Sequence, residues 1–123
     1  MKLNTDLIRE ILLQTEATEP GKPIKPDIPG YGEEEIGLHV EPMIKHGLIE
    51  GLTVPNGSGS VHRILAYRID GITLEGQNFL NDARNDTNWK KAKEKCLEAT
   101  GGVALDLLKA CLAELAKQTI GRL

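Results

Sequence analysis

Residues 46–76 read HGLIEGLTVPNGSGSVHRILAYRIDGITLEG, and this stretch decides the fold. Leu48 to Val54 has the aliphatic and β-branched composition of a strand. Pro55-Asn56-Gly57-Ser58-Gly59-Ser60 is a cluster of turn formers, and Val61 to Ile69 returns to strand composition. The three pieces predict a β-hairpin with a long, flexible tip. In its second strand Ile64, Ala66 and Arg68 alternate loosely with Leu65, Tyr67 and Ile69. Gly47 reads as the C-cap of a helix before the hairpin, and Thr73 as the N-cap of a helix after it. A hairpin set between helices makes a mainly helical α+β chain.

Working back from Gly47, Glu33 to His46 predict a helix that buries Ile36, Val40, Met43 and Ile44 on one face. Glu33, Glu34 and Glu35 suit the positive end of its dipole. Pro42 removes a hydrogen bond there and predicts a kinked or divided helix. Before it, residues 19–35 read EPGKPIKPDIPGYGEEE, with Pro20, Pro23, Pro26 and Pro29 three apart. That period matches polyproline II, so the segment is expected to be an extended connector, with Ile24 and Ile28 available to a short edge strand. A proline-rich ligand for another protein's groove is the alternative reading. Residues 4–16 predict a first helix with Asn4 as N-cap and an apolar stripe of Leu7, Ile8, Ile11 and Leu12, with Leu3 on the same side.

Working forward, Leu74 to about Asn85 is expected to bury Phe79, Leu80 and Ala83. Asp86 or Thr87 caps a further helix running to Ala99, with Trp89, Ala92, Cys96 and Ala99 inward and Lys90, Lys91, Lys93 and Lys95 mostly outside that stripe. Gly101-Gly102 break the chain. Residues 103–120 form a last helix in which Leu105, Leu108, Leu112 and Leu115 have a/d-like spacing, flanked by Ala104, Leu107 and Cys111. This stripe suits the core of one chain, a dimer seam, or both. Residues 1–123 therefore read as a single domain, with a body over 1–100 and a C-terminal helix over 101–123 as a dimer element.

Composition excludes more than it assigns. Asp6, Arg9 and Glu10 interrupt the N-terminal apolar pattern, so neither a signal peptide nor a membrane span is expected, and the chain reads as cytoplasmic. Cys96 and Cys111 lack metal-ligand spacing and read as reduced core residues. His39 and His46 are seven apart, and Glu35 with His39 has no third ligand, so no metal or other cofactor is expected. NGSGS lacks the lysine of a phosphate loop, and no nucleophile–base order stands out, so no catalytic residue is assigned and enzymatic activity is not expected. Four aromatic residues, scattered along the chain, do not build a stacking platform for single-stranded RNA. The net charge of −3 is uneven: residues 1–50 carry −5 and residues 51–123 carry +2.

The order helix, extended piece, helix, hairpin, helix resembles the winged helix-turn-helix of bacterial regulators. Gly47-Leu48-Ile49 and the Ile72-Thr73-Leu74-Glu75-Gly76 block fall at the corresponding places. The chain resembles more closely an uncharacterised family of phages, prophages and bacteria. The resemblance rests on Asp6 to Leu12, Glu34-Glu35-Ile36 with His39, Gly47 to Gly51, Thr73, Glu75-Gly76, Phe79-Leu80, Arg84 to Thr87 and Trp89. Pro42, and Ile72 in place of the usual leucine, depart from these patterns. The resemblance implies a winged-helix-like fold with a hairpin wing and additional C-terminal helices, in a bacterial or phage setting; it carries no activity.

Two functions follow as expectations. In a phage-type transcriptional regulator, double-stranded DNA would be held by Lys45, His46, Arg63, Arg68, Lys22 and Lys25, together with the lysines at 90–95, if these share one face. A homodimer would form through Leu105, Leu108, Leu112 and Leu115. In a small acidic module that inhibits or adapts a host protein, Glu33, Glu34, Glu35 and Glu41 would meet the partner. For the cations, ordinary solvated surface is the plainer alternative.

Overall fold

Asn4 starts the first helix as its sequence position suggests: its side-chain oxygen accepts from the Leu7 N–H, and α1 runs Thr5–Ala17. The computed structural model of the protein describes residues 3–55, 63–96 and 101–121, without the side chains of 101–103 and 119–121. After α1 come α2 (Glu33–Lys45), β1 (Ile49–Pro55), β2 (Ile64–Ile72), α3 (Leu74–Ala83), α4 (Asp86–Lys95) and α5 (Gly101–Gly121). Of the tip expected at Pro55 to Ser60, all but Pro55 lies outside the described residues, as do Val61 and His62 of the expected second strand and Ala99.

The segment between α1 and α2 contains no described helix or strand, as its prolines predict. It is anchored in two places. Ile24 forms an antiparallel bridge with Ile69 of β2. The Gln14 side chain accepts from the Asp27 N–H at 2.8 Å and donates to the Asp27 carbonyl at 3.0 Å, imitating strand pairing from the surface of α1. Ile28 turns into the core.

α2 runs through Pro42 without division. It ends in a Schellman motif: Leu48 N–H bonds the Met43 carbonyl at 2.9 Å, Gly47 N–H bonds that of Ile44 at 3.1 Å, and Gly47 has φ +78°. The chain then enters β1, which pairs antiparallel with β2 in a two-stranded sheet. Gly51 permits the strands to meet, because a Cβ there would lie 2.0 Å from the Arg68 carbonyl oxygen. Gly37 lets α2 press onto Ile64 and Tyr67 in the same way.

Two shifts of register correct the simple alternation expected for β2. Val54 opposes Ala66 while Pro55 opposes Ile64, so Leu65 is an extra residue; Asp70 is another, between Ile69 opposite Gly51 and Gly71 opposite Glu50. Each such bulge moves the following side chains to the other face. Ile64 is therefore buried with Ile69, beside the half-buried Tyr67, and Leu65 is turned outward.

Thr73 caps α3 by accepting from Gly76 N–H, and its hydroxyl donates to the Gly47 carbonyl at 2.5 Å, tying α3 to the end of α2. α4 is capped by Asn85, which accepts from Asn88 N–H, and not by Asp86 or Thr87, both inside the helix. α5 begins at Gly101, so the glycine pair opens that helix instead of breaking the chain before it. Glycine is tolerated in a first turn, whose N–H groups lack intrahelical partners.

One core joins these elements. Leu105, Leu108, Leu112 and Leu115 are 0%, 0%, 1% and 8% exposed in it, packed where α5 meets α3 and α4. Of the uses expected for this stripe, core of one chain, dimer seam or both, the structure shows the first: all four leucines cover hydrophobic faces of their own chain. Trp89, Ala92 and Cys96 are buried as predicted. The Trp89 ring meets Phe79 edge-on at 6.2 Å, under the Arg9 guanidinium at 5.0 Å.

Candidate functional site

The second strand of a two-stranded sheet has one edge paired and one to spare. Among the described residues, Ile24 alone bridges to that outer edge of β2, at Ile69. Alongside it runs an open groove of about 720 Å³, lined by the proline segment from Gly21 to Lys25, by Glu33, and by β2 from Ile64 to Asp70. The connector forms one wall between turns at Glu19–Lys22 and Ile28–Tyr31, and Ile24 fastens it to β2. Leu65, expelled by its bulge, is 67% exposed there.

The groove collects three of the cations expected to bind nucleic acid, Lys22, Lys25 and Arg68, beside the carboxylates of Glu33 and Asp70. Arg68 holds Asp70 through two bonds, Nε to Oδ1 at 2.8 Å and Nη2 to Oδ2 at 3.2 Å. Hydrogen bonding to Asp70 and its charge hold the guanidinium's pKa above the usual value. Tyr67 is half-buried, and burial followed by the charge of Glu33 pushes its phenol above the usual value.

The remaining expected DNA contacts are dispersed. Lys45 is exposed at the far end of α2, roughly 18 Å along the axis from Glu33 at 1.5 Å per residue. His46 is engaged within the chain: its Nδ1 lies 2.9 Å from Asp106 Oδ1 on α5, and its carbonyl accepts from Lys109 Nζ at 3.1 Å. It is a clamp between α2 and α5. Lys109 also pairs with Glu75. Arg63 pairs with Glu34 at 3.4 Å. Lys90 and Lys91 lie on a separate shallow patch with Asp86 and Glu94, and Lys93 is drawn to Asp6 at 3.1 Å. Lys22, Lys25 and Arg68 thus line one groove, and Lys90 and Lys91 another patch.

Of the expected acidic contacts, Glu33, Glu34 and Glu35 are exposed at the start of α2, while Glu41 is half-buried. His39, four residues from Glu35 on α2, is buried. Its Nδ1 faces the Glu35 carbonyl at 2.8 Å, and its Nε2 accepts from the Asn4 N–H at 2.9 Å. Asn4 Nδ2 in turn donates to the Tyr31 hydroxyl at 2.7 Å. This knot joins the start of α1 to α2, and only the capping role of Asn4 was visible in sequence.

Cys96 is a free thiol, buried, with Cys111 beside it; burial first, then Cys111, pushes its pKa up, which suits a packing role. Among the described residues no group of three or more His, Cys, Asp or Glu side chains is placed to hold a metal ion, and no helix is long and apolar enough to cross a membrane.

Residues 2–103 match the family described as "Hypothetical protein (DUF2513)". The chain belongs to this family. The matched span includes every residue of the groove and stops at the start of α5. The chain is also similar to a protein of Haemophilus influenzae (strain Rd) that carries the description "Uncharacterized protein". The two are 30% identical over 124 residues, which cover 98% of this chain and 99% of that one. No solved structure matches the chain.

Proposed function

We propose that the chain is a small protein-binding module on a winged-helix-like body, and that its docking surface is the groove beside β2. In this reading α2 occupies the place of a base-reading helix, the hairpin is the wing, and the proline segment replaces the helix that normally precedes α2. The observation that carries the proposal is the outer edge of β2, bordered by an exposed leucine and by the proline segment that Ile24 fastens to it. Backbone groups along a sheet edge, flanked by apolar side chains, suit a protein partner.

The outward stripe of α2 supports the same reading. It carries Glu34, Glu41 and Lys45 around a half-buried Leu38. Three glutamates occupy the helix N-terminus, where a phosphate would otherwise be welcomed. Duplex DNA meets repulsion there, and Arg63, the nearest cation on the wing, already faces Glu34. A DNA-binding regulator is the second reading, favoured by the grouping of Lys22, Lys25 and Arg68.

Site-specific photo-crosslinking separates the two. A crosslinking side chain is placed at position 65 in the groove, or at position 90 on α4, in the producing cell. The proposal expects a protein adduct from position 65 and none from position 90. Duplex DNA crosslinked from position 65 would establish the regulator reading instead, and silence at position 65 would reject the groove as a docking surface.

A further inference from the structure

We propose that the groove takes an extended, acidic segment of a partner protein, which joins β2 as a third strand and sets its carboxylates against Lys22 and Lys25. This rests on the docking reading above and specifies the chemistry of the occupant.

The backbone supplies the first argument. Ile24 already pairs with Ile69 from the outer side, so this edge is aligned for antiparallel pairing, and the bridge marks where an added strand must stop. Beyond it, Ile64 to Arg68 border the groove. At about 3.4 Å per residue, five residues offer a pairing length of roughly 17 Å. Edge pairing of this kind reads backbone, and alternate side chains read the walls. The exposed Leu65 and the half-buried Ile24 and Tyr67 are the apolar contacts available to every second side chain of the guest.

Charge selects the guest. Asp70 is engaged by both nitrogens of the Arg68 fork, leaving Glu33 as the other acid of the lining against Lys22 and Lys25. Both lysines are exposed and line the groove on the side of the proline segment. In a chain whose net charge is −3, this is a local cationic rim beside an open strand. Carboxylates at alternate positions of a guest strand meet it with opposite sign. A second copy of the chain fits less well. The segment of a second copy that would pair here, Ile64 to Arg68, carries no carboxylate to set against Lys22 and Lys25. Duplex DNA fits less well too, because the lining includes the carboxylates of Glu33 and Asp70.

The test uses the full chain, isotopically labelled, and a capped six-residue peptide alternating glutamate with valine. The expected result is a shift of the Ile64 to Arg68 backbone amide resonances and slower hydrogen exchange at those amides. The same peptide with lysine for glutamate, or with methylated backbone nitrogens at alternate positions, is expected to leave them unmoved. The double variant Lys22→Glu with Lys25→Glu should weaken the acidic peptide about tenfold or more while melting as the parent does. Absence of a response at β2, an equal response to the lysine peptide, or displacement of the peptide by a short DNA duplex would each overturn the proposal. A protein crosslinked from position 65 together with no strand-like response at β2 would leave the docking reading standing and remove this one alone.

Discussion

Asp6 carries more than its place on the surface suggests. Its Oδ1 accepts from Trp89 Nε1 at 2.8 Å, and Lys93 Nζ lies 3.1 Å from the same oxygen. Burial pushes the carboxyl up, but the hydrogen bonds from Trp89 and Lys93 and the charges of Lys93 and Arg9 together outweigh it, and its pKa falls below the usual value. A carboxylate lowered in the folded state stabilises the fold at pH values above its unfolded pKa, near 4, and loses that contribution as pH falls through the folded value. Asp6→Asn is therefore expected to cost up to about 1 kcal/mol at neutral pH, discounted for the exposure of the pair. Urea unfolding of parent and variant should converge as pH drops below about 4. A constant gap down to pH 2 would mean that the charge contributes nothing.

Among the elements, α2 is the one whose sequence argues against itself. Pro42 removes the N–H that would bond the Leu38 carbonyl, yet the helix continues to Lys45 and closes with Gly47. Ile36, Val40 and Met43 are buried on one face, and His39 fastens its middle to Asn4. Packing of that face offsets the local penalty, as tertiary contacts commonly override propensity. Pro42→Ala restores a backbone donor without deleting a fully buried side chain, and is expected to raise stability by about 1–3 kcal/mol. Thermal and urea unfolding measure it; a lower melting temperature would show that the proline ring packs more favourably than its missing hydrogen bond costs.

For the whole molecule, α5 is the closing piece. Its leucines fill the space beside α3 and α4, while Asp106 and Lys109 reach His46 at the end of α2 and Lys109 pairs with Glu75 of α3. Leu112→Asp would bury a carboxylate without a partner and is expected to cost about 3 kcal/mol or more. Circular dichroism and size-exclusion chromatography should report an unfolded or expanded chain. A folded protein of unchanged size would show that this stripe is dispensable to the core.

What the sequence by itself determined is local. The caps at Asn4, Thr73 and Gly47, the stripes of α1, α2 and α5, the hairpin and the non-helical proline connector are each written within a few neighbouring residues, because helix and strand periods and capping bonds act over that range. Lys22, Lys25 and Arg68 were legible as cations of interest, but not as members of one groove. Ile24 must first meet Ile69, forty-five residues on, and no local pattern specifies that pairing. Tertiary structure alone decided that His46 belongs to Asp106, that His39 locks onto Asn4, that Leu65 is thrown outward by a bulge, and that the leucines of α5 close one chain. A periodic stripe states only that a face must be covered. Which surface covers it depends on the shape and volume of everything else that folds against it.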